Sequence, residues 1–424
     1  MKNQKILLIS HNFSPEPTGI GKYNGEMIDW LAKSGYDCTV ITAFPYYPHW
    51  KVQKPYTNRW YKKELIEYTE GGTPVIVYRC PSYIPNRPTG KRRMVQDLSF
   101  WFFKSFMIFK LLLSSQKFDL IITVAPPFHL AYLGLMVKNY SGGKLLYHIQ
   151  DLQIEAAQDL GMLSSNKLLN KLYEIELDIL SKADYISSIS EGMIEKVKAK
   201  AKKDVLFFPN WADTSYFFPL DDAQSIKAKW GYQPDDLIIL YSGAIGEKQG
   251  LENVIYAANL LKKELNIKFI VCGSGPYRQR LIDLAKEMNL ENINFLPVQH
   301  KDVFNEFLNL ADLHLILQKA NASDLVMPSK LTTILAVGGA CIITCSPGTS
   351  LYNVVSKHDV GYIIEPEDYA LLAQTIKEVN LNQGCTVTKK ANAREYALNY
   401  LNIDNVMDTF INSVLDKSVS QVPV

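Results

Sequence analysis

Two lysines that stand in turns beside small residues are the strongest candidates for chemistry in this chain. Lys248 lies in the turn Gly243–Gly250, and Lys330 follows Pro328-Ser329 where a helical pattern begins. A lysine ammonium beside the free N–H groups of a helix start can bind a phosphate. The alternatives are a solvated lysine and an ordinary capped helix. We expect a diphosphate site, because a further glycine turn, Gly273-Ser274-Gly275-Pro276, follows another apolar run.

Polar side chains at the end of an apolar run mark a second candidate site. His148, Gln150 and Asp151 end the run that starts at Leu145. Open α/β sheets bind ligands at the carboxyl ends of their strands, so His148 and Asp151 are candidate catalytic groups. The alternative for His148 is a histidine whose hydrogen bonds are satisfied within the core.

A glycine-containing loop near the start of the chain is a third candidate. The apolar run Lys5–Ser10 leads to Gly19 and Gly21, and a helical pattern begins at Tyr23. Strand, glycine loop and helix form a unit that directs backbone N–H groups at an anion or a sugar. The spacing is not G-x-G-x-x-G, so the dinucleotide fingerprint is absent. We therefore interpret Gly19, Gly21 and Tyr23 as part of a substrate loop.

The elements that would position these residues alternate between strand and helix along the whole chain. This alternation predicts an α/β fold of two doubly wound, Rossmann-like domains that face each other. A proline-containing segment from Pro209 to Asp222 separates them, Ala391–Asp416 is predicted to be helical, and Lys417–Val424 is predicted to be a frayed tail. The predicted strands are Lys5–Ser10, Asp37–Thr42, Pro74–Arg79, Leu120–Val124, Lys144–Ile149, Tyr185–Ile189, Val205–Phe208, Leu237–Ser242, Lys268–Cys272, Ile293–Leu296, Leu313–Leu317, Ala340–Thr344 and Gly361–Ile364.

Composition excludes several classes of protein. The chain has 424 residues, too many for one ordinary core, and its formal net charge of +2 argues against a nucleic-acid partner. Its six cysteines form no C-x-x-C pair and no zinc spacing, so we expect no metal and buried thiols of a reducing compartment. Met1-Lys2-Asn3-Gln4 leads directly into a strand, which predicts no signal peptide and a cytoplasmic location.

One apolar segment allows two interpretations. Leu98–Leu113 follows the basic run Lys91-Arg92-Arg93 and is interrupted by Lys104 and Lys110. It is shorter than the roughly 20 residues that span a bilayer. It is either a helix packed on the sheet or a helix whose aromatic and basic face, with Phe100-Trp101-Phe102-Phe103, touches an anionic membrane.

Taken together, the motifs resemble those of glycosyltransferase family 4, which has the GT-B fold. The resemblance covers nearly the whole chain and rests on Gly19-Ile20-Gly21-Lys22-Tyr23, Ser190-Glu191, Pro209-Asn210-Trp211-Ala212-Asp213, Lys248-Gln249-Gly250, Gly273-Ser274-Gly275-Pro276 and Pro328-Ser329-Lys330. It implies an acceptor-side domain over residues 1–208 and a nucleotide-sugar-binding domain over 209–390. It also implies a C-terminal helix and tail, 391–424, that packs back on the first domain.

The resemblance implies a retaining, metal-independent transfer of a sugar from a nucleotide diphosphate donor, with no cofactor. Asp151, His148, Lys248 and Lys330 would be the catalytic residues, and Gly19, Gly21 and Tyr23 would line the acceptor side. The implied donor-binding residues are Gly243, Gly246, Gly273, Ser274, Gly275, Leu296, Pro328, Ser329, Leu331, Thr332 and Thr333.

Within the family, the chain resembles the enzymes of colanic acid, an exopolysaccharide. This implies GDP-fucose as a donor, a lipid-linked saccharide as the acceptor, and work at the inner face of the cytoplasmic membrane. Three positions depart from the family pattern: Thr333 replaces the second glutamate of a pair, Ala244-Ile245-Gly246 lacks an arginine, and Gln150-Asp151 replaces His-Asp. A nucleotide-sugar epimerase of the same fold and a non-catalytic sugar-nucleotide-binding subunit are the alternatives.

Overall fold

A computed structural model describes residues 4–17, 19–69, 71–86, 90–159, 166–319, 328–382 and 384–415. It divides into two compact units. The first contains the chain up to Pro209 and the segment that begins at Met407, and the second runs from Asn210 to Val406. The predicted tail Lys417–Val424 lies outside the described residues, as do the side chains of Lys91, Ser329 and Cys385.

The first unit is built on an eight-stranded sheet with the order β3-β4-β2-β1-β5-β6-β7-β8. All neighbouring strands are parallel except β3, which pairs antiparallel with β4. The strands are β1 (Lys5–Ile9), β2 (Asp37–Ala43), β3 (Lys62–Ile66), β4 (Val75–Cys80), β5 (Leu120–Ala125), β6 (Lys144–Ile149), β7 (Tyr185–Ser188) and β8 (Leu206–Phe207).

Helices follow most of these strands, as the alternation predicts. The α-helices before the unit boundary are α1 (Gly19–Lys33), α2 (Gly90–Leu113), α3 (Ala131–Ser141), α4 (Gln153–Asp159), α5 (Asn166–Lys182) and α6 (Glu191–Ala201). Every residue of β5 is buried, as expected of a continuous apolar run in a parallel sheet with both faces covered.

The second unit is built on a six-stranded, all-parallel sheet with the order β11-β10-β9-β12-β13-β14. Its strands are β9 (Leu237–Ser242), β10 (Ile267–Cys272), β11 (Ile293–Leu296), β12 (Leu313–Ile316), β13 (Cys341–Thr344) and β14 (Gly361–Ile364). The helices from here to the end of the described chain are α7 (Ala223–Lys229), α8 (Glu252–Leu260), α9 (Arg278–Glu287), α10 (Lys301–Asn309), α11 (Ser329–Ala336), α12 (Ser350–His358), α13 (Tyr369–Leu381), α14 (Gly384–Tyr400) and α15 (Ile403–Leu415).

The predicted strands are all present, but β3 is an addition. Its residues are mostly exposed and include two lysines, so it lacks the apolar run that marks the other strands. It is held at the sheet edge by its ladder with β4 and by Glu64, which accepts a 2.8 Å hydrogen bond from Nε of the buried Arg79. An edge strand of this kind leaves little signal in the hydrophobic pattern.

The C-terminal segment differs from its prediction. A single helical stretch was expected from Ala391, whereas α14 begins at Gly384 and α15 begins at Ile403. Ala393, Tyr396 and Ala397 of α14 are buried with α11 and β13 in a core cluster of the second unit. Only the part of the segment from Met407 onward groups with the first unit.

Candidate functional site

The two glycine turns after β9 and β10 lie directly against each other. Gly243 N–H donates to the Cys272 carbonyl at 3.0 Å, and Ile245 N–H donates to the Ser274 carbonyl at 2.9 Å. A Cβ on Gly273 would lie 1.9 Å from the Gly243 oxygen, and one on Gly275 would lie 2.0 Å from the Ile245 oxygen. These glycines are therefore required by the close approach of the turns. Gly273 N–H also donates to the Leu296 carbonyl at 3.2 Å, which ties β11 to the same surface.

Lys330 lies beneath the first of these turns. Its Nζ is 3.9 Å from the centroid of the Tyr241 ring and donates to the Leu315 carbonyl at 3.3 Å. Its Cδ would be 3.7 Å from a Cβ on Gly243. Burial lowers the pKa of Lys330 to about 7. Lys330 is half-buried, and no carboxylate of the described residues lies within ion-pair distance of it, so a partly desolvated amine faces the glycine turns without a counter-charge.

Lys248 stands at the far end of the same turn and is exposed. It is the middle residue of a 3₁₀ turn, Glu247–Gln249, and its carbonyl accepts from Lys319 N–H at 3.0 Å. Gly246 N–H donates to the Gln249 side-chain oxygen at 3.1 Å, which fixes the turn. The ammonium group of Lys248 can therefore move while its backbone is held.

The start of α11 differs in detail from the sequence-based expectation. The residue that precedes the helix is Pro328, which provides no side-chain cap. Leu331 N–H already donates to the Pro328 carbonyl at 2.9 Å. The side chains of Leu331 and Thr332 are buried, and that of Thr333 is half-buried. Leu331 and Thr332 thus anchor the helix in the core, and this geometry does not present their side chains to a ligand.

In the first unit, His148 is a buried strand residue. Its Nδ1 lies 2.9 Å from Ser187 Oγ, and its ring meets the Phe208 ring edge-on at 5.1 Å. Phe208 stacks on Phe410 of α15 at 3.9 Å. Burial lowers the pKa of His148 to about 3, so the imidazole is neutral at any physiological pH. This environment favours a packing role over proton transfer, whereas Asp151, beyond the strand end, is half-buried.

The loop before α1 is organised by a buried carboxylate. Glu16 accepts hydrogen bonds from the N–H groups of Tyr46 and Tyr47 at 2.9 and 3.0 Å, and from Asn12 at 2.8 Å. A Cβ on Gly21 would lie 2.5 Å from a Glu16 oxygen, so Gly21 makes room for this carboxylate. Gly19 has a φ of +60° and is exposed, but Tyr23 is 4% exposed. Of the three predicted loop residues, Gly19 is thus the one at the surface.

A polar cluster that the sequence patterns do not predict lies beside this loop. The His11 ring stacks on Phe100 at 3.8 Å, its Nδ1 is 3.9 Å from Asp97, and its buried Nε2 has no hydrogen-bond partner among the described residues. Lys104 is fully buried, with its Nζ 3.4 Å from the Phe100 centroid and bonded to the Ser10 carbonyl. Burial raises the pKa of Asp97 to about 7 and holds the pKa of Lys104 well below its ordinary value.

Spacing could have revealed this cluster. Asp97, Phe100 and Lys104 recur at intervals of three and four, which places them on one face of α2. In the sequence, Lys104 only interrupts an apolar segment that is either packed on the sheet or exposed to a membrane. In the structure, Lys104 lies on the buried face of α2, against β1.

The exposed face of α2 is a continuous apolar stripe. Phe100 is buried and Trp101 and Phe103 are half-buried, so only Phe102 of the predicted aromatic run is exposed. The stripe residues are each between 53% and 71% exposed, and they are Met94, Val95, Leu98, Phe102, Phe106, Phe109 and Leu113. Within the described chain no helix has the length and hydropathy needed to cross a membrane.

Metal ligands are not grouped anywhere in the described part of the chain, where no three His, Cys, Asp or Glu residues could share an ion. The described cysteines that are free, Cys38, Cys80, Cys272, Cys341 and Cys345, are all buried. Neither observation adds a metal to the candidate site.

Comparison with known proteins identifies the class. Residues 222–399 match the Glycosyl transferases group 1 family. A protein of Escherichia coli (strain K12) that carries the name colanic acid biosynthesis glycosyl transferase WcaI is 38% identical over 97% of this chain and 99% of its own length.

Solved structures support the fold. Sucrose-phosphate synthase from Thermosynechococcus elongatus superposes with a TM-score of 0.73 at 18% identity, over 96% of this chain and 97% of that one. HepE of Anabaena, solved in complex with UDP, superposes with a TM-score of 0.66 at 13% identity, over 97% and 99% of the two chains. The two parallel-sheet units are thus those of a GT-B fold. The chain is a glycosyltransferase and belongs to the family of WcaI.

Proposed function

We propose that this glycosyltransferase moves a sugar from a nucleotide diphosphate donor to a lipid-linked saccharide in exopolysaccharide biosynthesis, with retention and without a catalytic metal. The observation that carries the proposal is Lys330, a half-buried lysine beneath the paired glycine turns with no carboxylate partner among the described residues. GDP-fucose is the first donor to test, on the resemblance to colanic acid enzymes.

The charge on Lys330 explains how the turns would act. Burying an unpaired ammonium costs free energy, and a bound diphosphate would offset that cost. When the sugar–phosphate bond breaks, negative charge builds on the leaving diphosphate. A fixed cation at this position stabilises that charge more in the transition state than in the ground state. Lys248 would add a second, mobile cation at the turn's other end.

A solved structure of the same fold supports a nucleotide diphosphate as the ligand class. HepE is described in complex with UDP and, in another structure, with UDP-glucose. The base and sugar that this chain selects are separate questions, because those structures share only 12–13% identity with it.

On the acceptor side, we assign the substrate-facing role to Asp151 and the loop at Gly19. Asp151 follows the carboxyl end of β6, and Gly19 opens α1 after the carboxyl end of β1. His148 would act behind Asp151 by packing β6 against β7 and Phe208. Retention would follow from attack on the face that the diphosphate leaves, with a diphosphate oxygen taking the acceptor proton.

The test is a donor panel with and without acceptor. The purified chain is incubated with GDP-fucose, GDP-mannose and UDP-glucose, each with and without a lipid-linked saccharide. We expect transfer only with acceptor and an anomeric configuration equal to that of the donor. A change of the donor sugar without acceptor would indicate an epimerase. Donor binding without any product would indicate a binding subunit, and an inverted linkage would refute retention.

We further propose that the exposed face of α2 rests on an anionic membrane. The stripe from Met94 to Leu113 is about 28 Å long at the rise of an α-helix. Arg92, Arg93 and Lys110 are its exposed charged neighbours on the same helix, while the helix's acidic residue, Asp97, contacts His11. Trp60, which is 75% exposed, meets the Tyr61 ring edge-on, and Tyr61 contacts Phe106. An exposed apolar stripe with aromatic and basic neighbours is typical of a helix that lies in a membrane interface.

Vesicle sedimentation tests this surface. The chain should pellet with anionic vesicles more than with neutral ones, and less at high salt. Replacing both Phe102 and Phe106 by serine should abolish pelleting, because each buried ring contributes about 1.5–3 kcal/mol. Leu265→Ser, at a position that is 81% exposed in the second unit, is the matched control. The membrane assignment is refuted if the double variant pellets as much as the wild type does. It is also refuted if the wild type is a dimer that the double substitution dissociates.

A further inference from the structure

A cavity of about 530 Å³ lies in the second unit, at the strand ends opposite those that carry the glycine turns. Those turns follow the carboxyl ends of β9 and β10. The cavity is lined by the segment Val337–Gly339, before β13, and by His314, the second residue of β12. Because all strands of this sheet are parallel, the cavity is at their amino-terminal ends. Its volume is in the range of small-molecule sites.

His314 is the feature that calls for a ligand. It is 1% exposed, it lines the cavity, and neither ring nitrogen has a hydrogen-bond partner among the described residues. The Leu308 carbonyl is close enough to influence its pKa but completes no bond. Burial lowers that pKa to about 3, so the ring is neutral, with one N–H to donate and one nitrogen to accept. A buried imidazole left in this state costs free energy.

The backbone around His314 leaves room for it. A Cβ on Gly339 would lie 2.6 Å from His314 Cδ2, and one on Gly338 would lie 3.3 Å from Pro219 Cγ. Gly338 has a φ of +66°, which favours glycine in any case. The imidazole and the cavity beside it therefore depend on two adjacent residues without side chains.

Charge within the cavity is positive. Lys390 of α14 lines it, is half-buried, and makes no ion pair with a described residue, since its neighbour Asp312 is bound to Lys227 at 2.9 Å. Arg394 also lines it, but its guanidinium is fixed by the carbonyls of Phe217, Ala336 and Thr214. Glu395 is exposed at the rim. The remaining wall is largely apolar, with Leu220, Leu308, Val337 and Leu398.

We propose that this cavity is a second ligand site, for a small organic anion that places its carboxylate or phosphate between Lys390 and His314 and its apolar body against the leucines. Lys390 supplies the charge and His314 supplies the directional hydrogen bond. The cavity opens at the strand ends opposite the glycine turns and does not depend on the proposed donor. The Lys330 charge nevertheless lies close enough to His314 to lower its pKa.

The experiment uses the intact chain and the imidazole signals of its histidines. The chain has seven histidines, and His314→Phe identifies the signal of His314 by its loss. Inorganic phosphate, glucose 1-phosphate and benzoate are titrated separately, which distinguishes a phosphate ligand from a carboxylate. We expect at least one of the two organic anions to shift the His314 signal saturably and more tightly than phosphate does.

Three variants decide the interpretation. Lys390→Met should weaken binding about tenfold or more, the loss expected for one charged hydrogen bond. Lys389→Met removes the same charge one residue earlier, where Lys389 pairs with Asp359 outside the cavity, and should bind as the wild type does. Lys248→Ala should also bind normally, which separates this site from the donor proposal.

The proposal is overturned if none of the three anions moves the His314 signal. It is also overturned if Lys389→Met weakens binding as much as Lys390→Met. Should His314→Phe fail to fold, the signal is assigned instead by its response to Lys390→Met, because the Lys390 charge acts on His314. The comparison of the two lysines then still decides.

Discussion

At the scale of single residues, the candidate donor site depends on two lysines in different states. Lys330 is fixed between Tyr241 and the Leu315 carbonyl, while Lys248 is exposed on a fixed turn. A buried cation is positioned before the substrate arrives, whereas an exposed one must be ordered by it. The two lysines should therefore contribute to different steps.

We predict that Lys330→Met lowers turnover about 100-fold, whereas Lys248→Ala mainly raises the KM for the donor. Removing a preorganised cation from the leaving group costs about 3 kcal/mol of transition-state stabilisation. Methionine preserves the packing of the Lys330 chain and removes a partly desolvated charge, so the thermal midpoint should not fall. Steady-state kinetics measure turnover and KM, and a melting curve measures the thermal midpoint. Wild-type turnover in both variants would show that the phosphate site has been placed wrongly.

The lowered pKa of Lys330 predicts how donor binding depends on pH. Below about pH 7 the free protein already carries the ammonium, so affinity for a nucleoside diphosphate should be flat. Above that pH the neutral amine must gain a proton on binding, and the Kd should rise about tenfold per pH unit. Calorimetry in buffers of different ionisation enthalpy would detect the proton uptake. Lys330→Arg, always charged, should flatten the profile, and a flat wild-type profile from about pH 6 to about pH 9 would contradict the assignment.

At the scale of elements, the glycine turns are a packed pair. Their backbone atoms approach so closely that Gly273 and Gly275 exclude any side chain at the contact. A glycine turn after a strand can therefore make space either for a ligand or for a neighbouring turn. In this chain the close contact with the neighbouring turn accounts for the glycines.

We predict that Gly273→Ala destabilises the second unit by at least about 2 kcal/mol more than Gly231→Ala does. Both glycines have positive φ, so both substitutions strain the backbone. At Gly231 a Cβ meets nothing within 4 Å, whereas at Gly273 it would lie 1.9 Å from a carbonyl oxygen. Calorimetry, which separates the transitions of a two-unit chain, measures the difference. Equal effects would show that the turns can move apart at little cost.

The sequence predicts buried strands well and surface geometry poorly. Continuous apolar runs located β1, β5 and β9 because both faces of those strands are covered. The same criterion missed β3, an exposed edge strand. Periodicity alone also left the position of Lys104 open, since whether a lysine in an apolar helix faces outward depends on what packs against that helix. In this chain β1 and Phe100 provide that surface.

In the candidate site too, the residue types and their positions could be predicted from the sequence, whereas the burial of the side chains could not. Lys248, Lys330 and the glycine turns could be found from residue type and position after strands, because those features are local in sequence. The burial of His148, Leu331 and Thr332 could not, because neighbouring strands and helices determine it. His314 could not be found either, because a single histidine in an apolar strand has no other polar residue near it in the sequence. Only the cavity beside it distinguishes it from an ordinary core residue.

At the scale of the whole molecule, positive charge is concentrated at a few sites, and the net charge is small. The formal net charge is only +2, so long-range attraction to a polyanion is weak. The positive groups that matter are placed individually: Lys330 and Lys248 at the turns, and Arg92, Arg93 and Lys110 on α2. A chain organised in this way can meet a diphosphate and an anionic surface without a basic overall composition.

We predict that turnover with a competent donor is unchanged by EDTA. Enzymes that use magnesium neutralise the leaving diphosphate with the ion, and here Lys330, Lys248 and the start of α11 would perform that task. Donor affinity should likewise be the same with EDTA, magnesium or manganese. Lys330→Met provides the internal control: if cations of the chain replace the metal, adding magnesium to this variant should restore little activity. Loss of wild-type turnover in EDTA, with recovery on adding manganese or magnesium, would show that a metal and not these lysines carries the charge of the leaving group.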